Sequence, residues 1–214
     1  MTRPLVVIGA GGFGRETLDV VAAMNAAASV PVFDVLGVID AGPSELNLRR
    51  LADLGVPHLG PEVRWLERGE NAEYAIGIGA SAVRARLATL FDDQGLTAAT
   101  LVHPAAVIGS KSVLDPGVIV CAGVQISTNV HLKRHVHLNP NVTIGHDSTL
   151  EPFVSVNPGA IISGEVTVGS GTLIGSGAVI LQGLSIGAGS VIGAAACVVG
   201  DVPPQVTVKG VPAR

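Results

Sequence analysis

His146 and Asp147 are the neighbouring residues of this chain best suited to proton transfer. An imidazole accepts or releases a proton near neutral pH, and an adjacent carboxylate orients the ring and stabilises its charged form. His146 comes two residues after Ile144 and is the third residue of a six-residue repeat. Side chains at that position of the repeat point outward and not into the core. The pair is therefore a candidate for general acid–base chemistry. The alternative is a solvated surface histidine.

Two further candidates follow a spacing of eighteen residues. Gly164 lies eighteen residues after His146, and a glycine there leaves a backbone N–H open to a ligand; the alternative is a turn glycine. Asn139 and Asn157 are also eighteen residues apart, and a proline follows each of them. Stacked asparagines either contact a substrate or form a structural ladder in which their amides bond each other, and the sequence leaves both hypotheses open.

Metal binding and covalent catalysis are weaker hypotheses. His131, His135 and His137 are close in sequence, but a zinc site across stacked coils needs ligands at multiples of eighteen residues. No two of the six histidines are eighteen or thirty-six apart, so we expect no metal. Cys121 and Cys197 are 25 and 51 residues from His146, which are not multiples of eighteen either. A cysteine nucleophile is therefore disfavoured.

The N-terminal half carries a glycine-rich loop. Gly9, Gly11 and Gly14 form a G-x-G-x-x-G pattern between a predicted strand and a predicted helix, and Asp40 ends the next strand. The pattern is typical of dinucleotide-binding domains. The α/β half has only about 100 residues, and no second catalytic domain is left that could carry out hydride transfer. The glycine loop and the helix start can still bind a phosphate or a nucleotide.

Two kinds of element must position these residues. Residues 1–100 alternate strands and helices, which predicts a small parallel sheet covered by helices. The predicted strands are 5–9, 35–39, 74–79 and 98–102, and the predicted helices are 16–28 and 82–91.

From Val102 to Val198 every sixth residue is Ile, Leu or Val, at seventeen positions without an insertion. The residues four places further on are nearly all small or β-branched, from Ala106 to Val202. This period is typical of a parallel β-helix built from hexapeptides. Three hexads form one coil, so residues eighteen apart stack, and the aliphatic residues of 101–214 fill the interior in nearly six coils.

The composition agrees with this fold. The chain is 48% hydrophobic but only 3% aromatic, so aliphatic side chains must form its core. A formal net charge of −4 argues against a nucleic-acid partner. No apolar run reaches the length of about 18 residues that spans a membrane, and there is no leader typical of a signal peptide. Two cysteines do not form a disulfide framework, so we expect the protein in the reducing cytoplasm.

These motifs resemble those of the left-handed β-helix acyltransferases, and most closely the NeuD/PglD type of sugar O- and N-acetyltransferases. The resemblance covers essentially the whole chain. It rests on VVIGAGGFGRE (6–16), VID (38–40), AIGIGAS (75–81), LVHPAA (101–106), LNPNVTIGHD (138–147), VNPGA (156–160) and KGVPAR (209–214). It implies an N-terminal Rossmann-like domain, a left-handed β-helix and a trimer. Nothing in the periodicity fixes the hand of the helix, since ordinary parallel crossovers are right-handed.

The resemblance also implies an activity, acetyl transfer from acetyl-CoA to an amino or hydroxyl group of a sugar, with a nucleotide-linked sugar as the expected acceptor. It assigns the general base to His146, its partner to Asp147, and the backbone N–H that stabilises the oxyanion to Gly164. It places Asn139 near the acceptor. The sugar nucleotide is assigned to Gly9, Gly11, Gly12, Phe13, Gly14, Asp40, Gly79, Ala80 and Ser81, and the coenzyme to Ser155, Gly164, Gly175 and Lys209.

Two positions depart from the family pattern. Several relatives have histidine where this chain has Phe13, and asparagine where it has Ala80, so the acceptor is expected to differ from a UDP-linked amino sugar. The alternatives on the same fold are an O-acetyltransferase, a transferase of longer acyl chains, a metal enzyme like the γ-class carbonic anhydrases, and a non-catalytic nucleotide-binding scaffold.

Overall fold

A computed structural model describes residues 2–214. It divides into two compact units, Met1–Pro104 and Ala105–Arg214. Within the described residues, no helix is both long enough and apolar enough to cross a membrane.

The first unit is an α/β domain. Its elements are β1 (Arg3–Ile8), α1 (Gly12–Ala27), β2 (Phe33–Ile39), α2 (Glu45–Asp53), α3 (Glu62–Leu66), β3 (Glu73–Ile76), α4 (Ser81–Asp92) and β4 (Leu101–Val102). β1 is the central strand of a parallel sheet in the order β2-β1-β3. Parallel bridges join Val38 to His58 and Tyr74 to Ala98, which extend the sheet on both sides. The central strand is apolar and buried from Leu5 to Ile8, as strands covered on both faces require.

The predicted alternation of strands and helices is confirmed, with four differences. The strand predicted over 74–79 ends at Ile76, because the glycine-containing segment that follows leads into α4. Helix α1 begins at Gly12 rather than at residue 16, so part of the glycine pattern is helical. Helices α2 and α3 were not predicted, because they are short and bury little: Leu51 is the buried residue of α2, and Trp65 that of α3. The predicted strand 98–102 is reduced to the bridge at Ala98 and to β4.

The second unit is the predicted parallel β-helix, with two-residue strands on three faces. The first face consists of β7 (Ile119–Val120), β10 (His137–Leu138), β13 (Ser155–Val156), β16 (Leu173–Ile174), β19 (Val191–Ile192) and β21 (Thr207–Val208). The second consists of β5 (Val107–Ile108), β8 (Gln125–Ile126), β11 (Thr143–Ile144), β14 (Ile161–Ile162), β17 (Val179–Ile180) and β20 (Cys197–Val198). The third consists of β6 (Val113–Leu114), β9 (His131–Leu132), β12 (Thr149–Leu150), β15 (Thr167–Val168) and β18 (Ser185–Ile186).

Stacking follows the predicted eighteen-residue register, with Ile144 beside Ile162 and Ile162 beside Ile180. Each of the seventeen predicted aliphatic positions is the second residue of a strand, and those from Val120 onward are buried. Ile108 is 40% exposed, because the first coil has an open end. The last coil is two residues shorter, since Val191 pairs with Thr207.

Each face meets the next at a corner. The first corner leads from the first face to the second. The second corner leads from the second face to the third, and the third corner leads from the third face back to the first. One residue of nearly every corner has a left-handed backbone, among them Asn129, Asn141, Asp147 and Glu165, with φ near 60°. Asparagine and aspartate tolerate this conformation better than most residues. The corner turns therefore fix where the polar side chains leave the β-helix.

Candidate active site

His146 and Asp147 lie at the second corner, between β11 and β12. Asp147 has the left-handed conformation (φ 59°), and its Oδ2 lies 2.6 Å from Nδ1 of His146. Both side chains are about half exposed, so a substrate can reach them. An ionised carboxylate only accepts hydrogen bonds, so Nδ1 carries the proton. The other nitrogen, Nε2, then has its lone pair available to accept a proton.

A second polar partner, which the sequence analysis did not identify, holds Asp147. The Asn129 side-chain amide donates a 2.7 Å hydrogen bond to Oδ1 of Asp147. This bond and, after it, the bond with His146 lower the pKa of Asp147 below its ordinary value. Asn129 precedes Asp147 by eighteen residues, so the coil register was the signal that could have identified it.

Asn129→Ala should raise the pKa of Asp147 back toward its ordinary value. A depressed carboxyl pKa keeps Asp147 ionised to lower pH, so without Asn129 its carboxylate should take up a proton at a higher pH. We expect turnover at neutral pH to fall only roughly threefold to tenfold, since solvent screens an exposed carboxylate. Carboxyl-carbon NMR titration of Asp147 and the pH–rate profile measure the two effects.

Asn141→Ala is the matched control, because Asn141 has the same left-handed conformation (φ 61°) at the first corner. Alanine is compatible with this backbone, as Ala195 shows (φ 55°). An unchanged Asp147 pKa in Asn129→Ala would show that the amide does not stabilise the carboxylate.

Gly164 lies one coil after His146 and faces its imidazole. A Cβ atom on Gly164 would lie 2.6 Å from both Nε2 and Cε1 of His146, so only glycine leaves room for the ring in this position. Within residues 2–214, no protein group accepts a hydrogen bond from the Gly164 N–H. The spacing of eighteen thus brings Nε2 and a backbone donor to one small area of the second corner.

Glu165 is also close to the pair. Its backbone N–H donates a 2.8 Å hydrogen bond to the His146 carbonyl, and its carboxylate completes a group with His146 and Asp147 whose possible ligand atoms lie within 4.8 Å of one another. All three side chains are exposed. This is one imidazole with two carboxylates, and it does not correspond to the three-histidine zinc site considered from the sequence.

The other histidines of this region have different surroundings. His131 Nε2 lies 2.9 Å from Asp115 Oδ1 on the third face. His135 and His137 are each 1% exposed, and the His135 ring stacks on Phe153 with centroids 5.3 Å apart. His135 and His137 are therefore packed within the protein, unlike the exposed His146.

The residues predicted to bind acceptor and coenzyme lie elsewhere on the β-helix. Asn139, Gly175 and Lys209 are at the first corner, whereas Ser155 is in β13 of the first face. The Asn139 amide donates a 3.0 Å hydrogen bond to the Val156 carbonyl of the next coil. One chain therefore places His146 and Gly164 at one corner, and Asn139 with two of the four predicted coenzyme residues, Gly175 and Lys209, at another.

The glycines of the N-terminal loop divide into two groups. A Cβ on Gly9 or Gly14 would clash with backbone atoms, since Gly14 packs directly on the Gly9 carbonyl where α1 crosses the sheet. A Cβ on Gly11, Gly12 or Gly79 would meet nothing within 4 Å. The first group is required by packing, and the second borders open space that a ligand can enter.

Two helices begin beside these open glycines. Gly11 is the N-cap of α1 and Ala80 that of α4, and neither has a side chain that caps the helix. Ser81 is the first residue of α4, and Phe13, which is half-buried, lies in the first turn of α1. Strands β1 and β3 are neighbours, so both helix starts lie at the same edge of the sheet, where helix N-termini attract anions.

Asp40 has a structural role at this edge. One carboxylate oxygen accepts a 2.8 Å hydrogen bond from the Ala10 N–H and the other a 2.9 Å bond from the Gly42 N–H. A separate cavity of about 620 Å³ lies between α1 and β2, lined by Leu18, Ala22 and Val35 among others, and contains none of the predicted site residues.

Comparisons with known proteins agree with this arrangement. Residues 4–91 match the PglD N-terminal domain family. No curated protein matches the chain. Among solved structures, the acetyltransferase domain of PglB from Neisseria gonorrhoeae FA1090 is similar over 100% of this chain and 99% of that chain, with 27% identity and a TM-score of 0.86.

Two further structures are similar over nearly their whole length. PerB from Caulobacter crescentus, solved with CoA and GDP-perosamine, shares 29% identity over 99% of this chain and 96% of that chain, with a TM-score of 0.88. WeeI from Acinetobacter baumannii AYE shares 28% identity over 100% and 99%, with a TM-score of 0.84. The PglD N-terminal domain, a β-helix of the same architecture and a histidine–aspartate pair opposite a glycine together support a sugar acetyltransferase of the NeuD/PglD type.

Proposed function

We propose that this protein transfers the acetyl group of acetyl-CoA to an amino group of a nucleotide-linked sugar, with His146 as the general base. The observation that carries the proposal is the His146 imidazole, bonded to Asp147 through Nδ1 and lying against Gly164 with its Nε2 edge. The similarity to PerB, solved with CoA and GDP-perosamine, supports the coenzyme and the class of acceptor.

In this mechanism the acceptor amine attacks the thioester carbonyl while Nε2 of His146 takes its proton. Asp147 stabilises the imidazolium that forms, and the Gly164 N–H donates to the oxyanion of the tetrahedral intermediate. The intermediate then collapses, the C–S bond breaks, and the CoA sulfur leaves with the proton from Nε2. The products are the acetylated sugar and CoA, and no acyl-enzyme forms.

Direct transfer is supported by the positions of the two cysteines. Cys121 is buried after β7, and Cys197 lies in β20 of the second face, so neither is at the turn that holds His146. Neither cysteine forms a disulfide, which fits our proposal that the protein acts in the cytoplasm, where thiols stay reduced.

The N-terminal loop supports a nucleotide-linked acceptor. The open glycines and the two uncapped helix starts offer backbone N–H groups to a diphosphate. The benzyl group of Phe13 and the methyl group of Ala80 offer no hydrogen bonds, so we propose a sugar that differs from a UDP-linked amino sugar.

The test is thiol release from acetyl-CoA with a panel of acceptors. The panel contains 3- and 4-amino sugars linked to UDP, GDP or dTDP, together with their hydroxyl counterparts. Release with an amino sugar alone identifies N-acetylation and names the nucleotide. Release with only a hydroxyl sugar would replace this proposal with O-acetylation, and no release with any sugar despite CoA binding would contradict it.

We further propose that the protein is a homotrimer in which the second corner of one chain faces the first corner of the next. That arrangement would join the His146 area with Asn139, Gly175 and Lys209. The support is an apolar strip beside the second corner, where Ile161, Leu181 and Val199 are 42%, 38% and 53% exposed. Apolar residues grouped in this way favour burial against another copy.

Sedimentation equilibrium should give three times the mass of one chain for the wild type. Leu181→Asp should dissociate the assembly, because a charge would be buried in an apolar contact. Thr167→Asp, on the polar third face, is the control and should stay trimeric. A monomeric wild type at micromolar concentration would refute the trimer.

A further inference from the structure

Ser148 is a fully buried polar residue directly after the histidine–aspartate pair. It occupies the small inward position of its hexad. Its hydroxyl donates a 3.1 Å hydrogen bond to the Ser163 carbonyl and accepts a 3.2 Å bond from the Val166 N–H, while the His146 carbonyl lies further away at 3.4 Å. The side chain therefore links its own corner to the corner of the next coil.

The corner does not need this hydroxyl in order to form. Val130 and Val166 occupy the same position one coil before and one coil after Ser148, and both are buried within regular coils. Burying a hydroxyl is unfavourable unless hydrogen bonds compensate for its lost hydration, and the bonds to the Ser163 carbonyl and the Val166 N–H provide that compensation. The serine must be explained by what it bonds.

The bond to the Ser163 carbonyl fixes the peptide that contains the Gly164 N–H. In a trans peptide the C=O and the N–H point in opposite directions. Ser148 lies inside the β-helix and holds the carbonyl inward, so the Gly164 N–H points outward. The imidazole of His146 lies against Gly164 on the outer side.

The packing around this peptide is also tight. A Cβ on Gly145 would press on the Ser163 carbonyl and on the Gly164 nitrogen. Glycine at 145 thus leaves the outer side of the peptide uncovered, while Ser148 holds its inner side.

We infer that Ser148 is a positioning residue that holds the Ser163–Gly164 peptide with its N–H directed at the oxyanion of acetyl transfer. The inference rests on the proposed function and extends it, because it explains why one hydroxyl is buried at the corner that bears the reacting groups. Without Ser148, the peptide would be free to rotate away from the position in which its N–H meets the oxyanion.

Ser148→Ala should lower kcat by about 10- to 100-fold, less than the complete loss of an oxyanion donor costs, with the Kd of CoA and the KM of acetyl-CoA little changed. The shape of the pH–rate profile should stay the same, because the His146–Asp147 bond is intact. Ser148→Thr should restore kcat, since Thr172 shows that a threonine at this hexad position can donate to the carbonyl fifteen residues on, that of Gly187.

Ser190→Ala is the matched control. Ser190 is also fully buried, donates to the Pro203 carbonyl at 2.7 Å and accepts from the Val206 N–H at 3.3 Å, but it lies at the third corner. Both alanine variants lose the same kind of bonds, so they should lower Tm by similar amounts. Only Ser148→Ala should lower kcat; an equal kcat in the two variants would overturn the inference.

NMR tests the peptide itself without relying on activity. Serine labelled with ¹³C at the carbonyl and glycine labelled with ¹⁵N select the three Ser–Gly peptides of the chain, 163–164, 170–171 and 176–177. Ser148→Ala should shift the Gly164 amide and speed its hydrogen exchange, while the other two peptides serve as internal references. An unmoved Gly164 amide would overturn the inference, whereas a shifted amide in a protein that acetylates no acceptor would refute the proposed function instead.

Discussion

His146→Ala should lower the kcat of acetyl transfer by about 10²- to 10⁴-fold, the usual contribution of a general base. The loss falls on kcat because the imidazole acts on the proton that leaves the acceptor, whereas CoA binding does not require it. The free energy of unfolding should change little, since the side chain is 57% exposed and lies outside the aliphatic interior. Single-turnover kinetics measures the change in the chemical step, and the Kd of CoA measures any change in coenzyme binding.

His131→Ala is the matched control for this experiment. His131 also lies beside an aspartate, with Nε2 2.9 Å from Asp115 Oδ1, but no glycine of the next coil faces it, because Thr149 is its neighbour there. Its loss should leave kcat within about twofold of the wild type. Undiminished turnover in His146→Ala would remove the histidine from the mechanism.

Gly164→Ala should reduce kcat by about 100-fold or more, although the protein should fold normally. The added Cβ would lie 2.6 Å from Nε2 and Cε1 of His146, and the imidazole, an exposed side chain, can rotate away. The His146 imidazole then no longer lies beside the Gly164 N–H. The group that takes the proton and the group that stabilises the oxyanion are therefore no longer aligned on one substrate. A crystal structure of the variant should show a changed His146 rotamer.

Two residues in the same column of the second corner show that the backbone accepts a Cβ. Gln182 lies one coil after Gly164, and Gly200 two coils after it, where a Cβ would meet nothing within 4 Å. Gly200→Ala is therefore the control and should retain both activity and Tm. If Gly164→Ala kept its turnover, the contact between glycine and imidazole would have no part in catalysis.

Much of this molecule was predictable because its repeat is local and regular. Each hexad from Val102 to Val198 contains its own inward aliphatic residue, and a coil of three hexads makes the register simple arithmetic. The stacking of Gly164 on His146 followed from the same arithmetic, and it is confirmed. The register changed only in the last coil, where Val191 pairs with Thr207 after a segment that contains two prolines.

The N-terminal unit was less predictable, since its elements depend on contacts distant in sequence. Helix α1 includes Gly12 and Gly14, and a helix that contains glycines gives a weak local signal. Gly14 is required because α1 crosses the sheet at the Gly9 carbonyl, which is a tertiary constraint. The sequence did not indicate that the Asp40 carboxylate accepts hydrogen bonds from the Ala10 and Gly42 amides, and its predicted contact with the sugar nucleotide stays a prediction.

The sequence alone determined the class of fold, the outward direction of His146, and the stacking of Gly164 one coil after it. It did so because an eighteen-residue repeat converts sequence spacing into spatial proximity. Only the tertiary structure decided that Asn129 holds Asp147, that the imidazole lies over Gly164, and that Ser148 bonds the Ser163 carbonyl. These contacts depend on side-chain rotamers and peptide orientations across stacked coils, and a residue's position in the repeat does not specify them.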